Sequence, residues 1–169
     1  MRSPRARVSS EIERKFVLDE PPDLGLPPLD GARRLAIEQT YLVGDRGSER
    51  VRMTREGGRP ERYFHTTKRP VSALTREEDE REVDREEYLR LLARRDPERG
   101  TIRKTRHVFP YGGRVFELDV FEQPPGIVLL EVELPSEDAA VDLPPLAGLR
   151  DVSGDARYSN AELARRARD

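Results

Sequence analysis

Glu11, Glu13 and Lys15 stand at alternate positions near the start of the chain, and on an extended strand residues two apart share a face. The same alternation joins Arg50 to Arg52, Lys68 to Thr66 and Phe64, Lys104 to Arg106, Glu117 to Asp119 and Glu131 to Glu133. Between them lie apolar residues: Ile12 and Phe16, Val51 and Met53, Phe116 and Leu118, Leu130 and Val132. One strand with a charged wet face is ordinary. Here nearly every wet face is ionised, and the signs segregate by strand. The start of the first strand and the last two strands are acidic, whereas the strands of Arg50, Lys68 and Lys104 are basic. If such a sheet closes, rows of carboxylate meet rows of ammonium and guanidinium across a lumen. Clustered carboxylates repel unless a cation joins them, and clustered cations repel unless an anion does. A divalent metal with a polyphosphate satisfies both, arginine offering a bidentate fork and lysine a point charge.

The composition narrows the choice. The 169 residues fit one domain, and 38% of them are charged, against about 25% in an average globular chain. A net charge of −2 argues against nonspecific nucleic-acid binding, which needs a basic excess. Cysteine is absent, which removes disulfides and thiolate ligands, and two histidines are a poor basis for a zinc site. Any metal must then be a hard cation on carboxylate oxygens, such as Mg²⁺ or Mn²⁺. No apolar run approaches the roughly 18 residues of a membrane span, and the Arg-bearing N-terminus lacks the apolar core of a signal peptide. A cytoplasmic protein with no membrane partner is the expectation. Thirty-one basic residues include only three lysines, Lys15, Lys68 and Lys104, all on the charged faces. Against so strong a preference for arginine, a retained lysine suggests a need for a compact ammonium or a movable pKa; chance is the plain alternative.

The elements that must position these groups read as mostly antiparallel β. Strands are expected at 10–18, 34–43, 49–54, 62–68, 77–84, 101–109, 114–121 and 127–134, with a hairpin turn at Gly112-Gly113. A helix opens after Asp84 with acidic Glu86 and Glu87, and Ser159 or Asn160 caps a last helix over 161–168. Ser136-Glu137-Asp138 reads as a short turn. The Pro-rich stretch 19–31 reads as irregular. Residues 1–9 read as a flexible N-terminus and 10–169 as a single domain. Glu78, Glu80 and Glu82 alternate with charged neighbours, which leaves the inward side of that strand unassigned. By parity His65 and His107 point away from Lys68 and Lys104, outside the lumen.

Glu11-Ile12-Glu13-Arg14-Lys15 resembles the ExExK signature of the CYTH superfamily, the triphosphate tunnel metalloenzymes. The order of later segments sharpens the likeness. Gln39-Thr40-Tyr41-Leu42 resembles QxYL, Arg50-Val51-Arg52 an RxR strand and Thr66-Thr67-Lys68 a TxK strand. Arg76 with Glu78, Glu80 and Glu82 is similar to RxExExE, and Lys104-Thr105-Arg106 to KTR. Glu117-Leu118-Asp119, Glu131-Val132-Glu133 and Arg157-Tyr158-Ser159-Asn160 complete the series, from about residue 10 to 166.

The resemblance implies an eight-stranded antiparallel closed tunnel barrel with a few short peripheral helices. It implies Mg²⁺ or Mn²⁺ on Glu11, Glu13, Asp119, Glu131 and Glu133, with Lys15, Arg50, Arg52, Lys68, Lys104 and Arg106 on phosphate oxygens. Lys15 and Tyr41 would assist attack by water, Lys15 either as a base of lowered pKa or as a plain phosphate ligand. Two departures, Thr40 before the tyrosine and Arg69 after the TxK lysine, replace common glycines and are expected to alter the tunnel mouth. The partner is then a triphosphate-containing small molecule, foremost inorganic tripolyphosphate cleaved to pyrophosphate and phosphate. The rivals are a nucleoside or thiamine triphosphatase, an adenylyl cyclase, a polyphosphate or nucleotide sensor without turnover, and a structural barrel. A homodimer stays open.

Overall fold

The computed structural model describes residues 7–44 and 48–168. The start of the expected flexible segment, residues 1–6, lies outside the described residues, while 7–9 belong to the first strand. Eight strands form the wall: β1 (Arg7–Leu18), β2 (Arg33–Tyr41), β3 (Ser48–Arg55), β4 (Arg62–Pro70), β5 (Thr75–Val83), β6 (Ile102–Tyr111), β7 (Arg114–Gln123) and β8 (Val128–Glu133). Their order is β5-β4-β3-β2-β6-β7-β8-β1, and β5 pairs again with β1, so the antiparallel sheet closes. β1 makes the closure by dividing its length. Arg7 to Ile12 pair with β5, and Glu13 to Leu18 pair with β8. A ninth strand, β9 (Arg150–Asp151), adds to β1 through Phe16 and Val17. It is two exposed residues long and carries no pattern by which the sequence could announce it.

Register turns the sequence parity into an inside and an outside. Glu13 lies opposite Glu133, Lys15 opposite Glu131, Arg106 opposite Asp119, Tyr41 opposite Arg50 and Lys68 opposite Glu78. Cross-strand partners share a face, so one unbroken set of alternate residues lines the lumen. It includes Glu78, Glu80 and Glu82, which settles the side of β5 that the pattern left open.

The main apolar core therefore lies outside the tunnel wall. Phe16, Leu18, Phe109, Phe116, Leu118, Leu130 and Val132 form the outer face of β1, β6, β7 and β8. Leu29, Ala139, Val141, Leu146 and Leu149 from the two long connections cover them. At the β6–β7 turn Gly112 and Gly113 both take positive φ, +55° and +75°, as a two-residue hairpin with matching twist requires. α1 (Arg85–Leu92) is capped by Asp84, whose carboxylate accepts from Glu87 N at 2.7 Å, and lays Tyr88 on Val51, Val83 and Tyr63. α2 (Asn160–Arg166) is capped by Ser159 and packs Leu163 and Ala164 on Val17, Tyr41, Ile102, Phe121 and Leu129. Those partners share the parity of Lys15, Gln39, Lys104, Asp119 and Glu131 and so belong to the inward face, which makes α2 a stopper at one end of the barrel.

Candidate functional site

The lumen between that stopper and the opposite mouth is a cavity of about 280 Å³. Its lining is Glu11, Glu13, Gln39, Arg50, Arg52, Lys68, Glu78, Lys104, Arg106, Glu117, Glu131, Glu133 and Asn160, with Val115 as an apolar side chain of the inward face; Val132 borders it from the wall, its side chain belonging to the outer core. Nine of the twelve residues expected from sequence line it. Lys15 and Tyr41 line an adjoining cavity of about 500 Å³ that shares Glu13, Arg50, Lys68 and Asn160 with the first, and Asp119, fully buried behind Lys104 and Arg106, lines neither. All three lysines thus face the interior. Gln39, Glu78, Glu117 and Asn160 also belong to the site, although no role was assigned to them in advance. Glu117 was legible from its alternation with Asp119. Asn160 is brought in by α2, an element whose direction no strand parity can give.

The basic rows are held by specific carboxylates. Lys104, 2% exposed, donates to Asp119 Oδ2 at 2.6 Å, and Arg106 binds both Asp119 oxygens at 2.7 and 2.8 Å. Arg106 also meets Glu117 at 2.5 Å. Lys68 lies 2.6 Å from Glu11 and 2.9 Å from Glu78, and Arg52 donates to Glu80 at 3.0 Å. Burial alone would raise Asp119, but Arg106 and Lys104 outweigh it and hold this carboxyl far below the usual range. Of the five expected metal ligands, Asp119 thus has both oxygens committed to cations.

Elsewhere like charges crowd. Burial pushes Glu13 up, and Glu131 beside it pushes in the same direction. Glu133 rises through burial and the glutamates Glu11, Glu117 and Glu13 around it, and Glu117 rises through burial despite Arg106. Among the cations, burial lowers Lys104 and Arg106 adds to the fall; burial lowers Arg52, with Arg50 and Arg106 repelling it. Glu13, Glu117 and Glu133 on one side and Lys104 and Arg52 on the other therefore lack full compensation, whereas Glu11 and Glu78 hold Lys68, and Asp119 holds Arg106, in the charged form.

Lys15 has unexpected neighbours. Its ammonium donates to Tyr158 O at 3.2 Å and stands 3.5 Å from Glu131 and 3.7 Å from Glu13. Burial pulls its pKa down, but the two carboxylates outweigh burial and raise it. β1 places Lys15 opposite Glu131 on β8, so the protonated form is the favoured one. The Tyr41 hydroxyl accepts from Gln39 Nε2 at 3.2 Å, and the Arg99 guanidinium lies 5.1 Å from its ring centre.

The two departures from the family pattern lie elsewhere than expected. Thr40 sits on the outer face of β2, where its hydroxyl pairs with that of Thr101 at 2.9 Å. Arg69 is exposed on the outer face of β4 opposite Glu77. Neither side chain reaches the tunnel mouth, because both have the parity opposite to Tyr41 and Lys68. His65 and His107 also point outward, His65 onto Glu49 at 2.9 Å.

The fit to a metal rests on this lining. All candidate donors are carboxylate oxygens, as Mg²⁺ and Mn²⁺ prefer. Glu131 Oε1 is buried without a hydrogen bond, and Glu13 and Glu133 face each other across β1 and β8. Among the described residues no three acidic or histidine groups already form a cation cage. The donor set suits a hard cation, with the phosphate oxygens supplying further ligands.

No protein-family model matches the chain. An inorganic triphosphatase of Acetivibrio thermocellus is 31% identical over 163 residues, 94% of this chain and 95% of that protein. A crystal structure described as an inorganic triphosphatase is 31% identical and superposes with a TM-score of 0.57 over 92% of this chain and 94% of its own. A Hippeastrum protein studied as an adenylyl cyclase, with a dominant triphosphatase activity, shares the fold. Its TM-score is 0.58 at 18% identity, over 75% of this chain and 80% of its own.

Proposed function

The chain belongs to the CYTH superfamily of triphosphate tunnel enzymes, and we propose that it hydrolyses a terminal phosphoanhydride inside its tunnel. The observation that carries this reading is the lumen itself, where Arg50 Nε and Arg52 Nε and the carboxylate oxygen Glu131 Oε1 are buried without a hydrogen bond in one cavity. A triphosphate with a divalent cation relieves both at once. Inorganic tripolyphosphate, cleaved to pyrophosphate and phosphate, is the substrate the lining favours. Among the described residues Val115 is the one apolar side chain that the inward face brings to the lumen, too little surface to hold a purine there; apolar Leu74, Val152, Ala156 and Ala161 lie instead in the adjoining cavity.

Arg50, Arg52 and Arg106 hold phosphate oxygens with their forks, and Lys68 and Lys104 hold them as point charges. To do so Lys104 and Arg106 share themselves between Asp119 and the substrate, and Asp119 keeps both aimed. Glu13, Glu131 and Glu133, with Glu11 beside them, would hold Mg²⁺ or Mn²⁺; Asp119 would join them only as far as Lys104 and Arg106 release it. The cation, when bound, neutralises phosphate charge and lowers the pKa of bound water. Lys15, fixed by Tyr158 O, acts as a donor to an oxygen of the reacting phosphoryl group or water, not as a base. Tyr41, held by Gln39, orients beside it.

Phosphate release from tripolyphosphate and from ATP, with Mg²⁺, Mn²⁺ or EDTA, tests the reading. Release that requires metal, favours tripolyphosphate and falls by about 10²-fold or more in Glu131→Ala is expected. No cleavage of either compound with any metal would overturn it.

A further inference from the structure

Behind Tyr41, on the outer side of the wall, lies a third cavity of about 450 Å³. Arg95, Arg99, Arg103 and Arg168 line it with the hydroxyls of Thr40 and Thr101, and Asp96 is the one carboxylate among the described residues that line it. The catalytic reading uses none of these residues. Asp96 is occupied, since it lies 3.5 Å from Arg99 and accepts from Glu98 N at 2.9 Å. Arg168 meets Glu98 at 2.9 Å, and Arg103 stands a loose 3.8 Å from Glu38. Arg99 Nε is buried and faces Asp96 Oδ2 at that 3.5 Å without a hydrogen bond to it. The paired threonine hydroxyls spend one proton on each other and keep one to offer.

The C-terminal end of α2 borders this cavity, and a bare helix C-terminus would repel an anion. Its carbonyls are covered: Ala164 O accepts from Gly100 N at 2.8 Å and Ala167 O from Gln123 Nε2 at 3.0 Å. A side chain at Gly100 would put a Cβ 2.1 Å from Ala167 O, so glycine is what lets this loop seal the helix end. Arg99 follows from the same loop and lines both this cavity and the one holding Lys15 and Tyr41.

We propose that this outer pocket is a second oxyanion site, taking a phosphate-class anion such as orthophosphate or pyrophosphate and reporting it to the tunnel through Arg99. The bound anion draws the Arg99 guanidinium towards Arg95 and Arg103 and away from the Tyr41 ring. Binding stands independently of the hydrolase reading, on which only the consequence for turnover rests.

The test compares ¹⁵N-labelled wild-type protein with Arg95→Gln/Arg103→Gln, two exposed positions outside the tunnel. Orthophosphate and pyrophosphate are titrated in separate arms, in EDTA, by NMR and calorimetry. Two anions per wild-type chain against one in the variant, with the Arg99 Nε–H and Thr101 signals moving only in wild type, are expected. The stronger of the two anions identifies the ligand. In turnover assays orthophosphate lowers wild-type kcat by about fivefold, whereas in the variant it raises only KM, through the tunnel. Equal stoichiometry and unchanged Arg99 signals in both proteins would overturn the site. Two anions with no wild-type effect on kcat would overturn the link to Tyr41. Absence of tripolyphosphate cleavage with the second site intact would sink the hydrolase reading alone.

Discussion

The wall of β6, β7, β8 and β1 differs from the wall of β3, β4 and β5 although both face the same lumen. The first is charged inside and apolar outside, and its outer face is sealed by two long connections. The second is charged inside and, beyond the patch under α1, also polar outside, with charged Glu77, Asp79, Arg81 and Arg69 and the hydroxyl of Thr67 on the outer face. Stability concentrates in the first wall and polar adaptability in the second. A barrel whose interior must stay ionised moves its core to the other side of the sheet, and one half of the wall suffices to hold it.

The contrast is broken most severely at Phe116, fully buried and stacked on Phe109 with ring centres 5.9 Å apart. Phe116→Ala should cost about 4 kcal/mol in chemical denaturation. A loss below about 1 kcal/mol would mean that the outer core does not carry the fold. Asp119→Ala, on the inner side of the same wall, strands Lys104 and Arg106 as buried cations. It should cost about 3 kcal/mol, and added tripolyphosphate should restore part of the melting temperature because it supplies the missing negative charge. No recovery would detach these cations from phosphate binding. The smallest effect is expected in the second wall. Arg62→Ala removes an exposed pair with Glu82 at 2.8 Å and should change stability by less than about 1 kcal/mol.

The same contrast explains how much the sequence disclosed. In β1, β7 and β8 apolar residues alternate with charge, so parity alone named Glu11, Glu13, Lys15, Asp119, Glu131 and Glu133 as lumen residues. In β5 both faces are ionised and parity has no apolar reference, so Glu78 and Glu80 needed the pairing with Lys68 and Thr66. The sequence left Lys15 open between a base of lowered pKa and a plain phosphate ligand for a related reason. Strand parity shows which residues share a lumen, whereas the carboxylates that meet Lys15 depend on which strand closes the barrel beside β1. Thr40 and Arg69 were placed at the mouth by their closeness in sequence to Tyr41 and Lys68, and one residue of offset reverses the face. The stopper of α2 was beyond sequence reading, because a seven-residue helix shows too few turns to reveal what it packs on.

The central claim is that the lumen holds a triphosphate and a divalent metal together. Crystals grown with Mn²⁺ and a non-hydrolysable imido analogue of tripolyphosphate test it directly through the anomalous signal of manganese. The account predicts a manganese peak among Glu13, Glu131 and Glu133, with phosphate density across Arg50, Arg52, Lys68, Lys104 and Arg106. Manganese and analogue both found outside the tunnel, with the lumen's ion pairs unchanged, would contradict it.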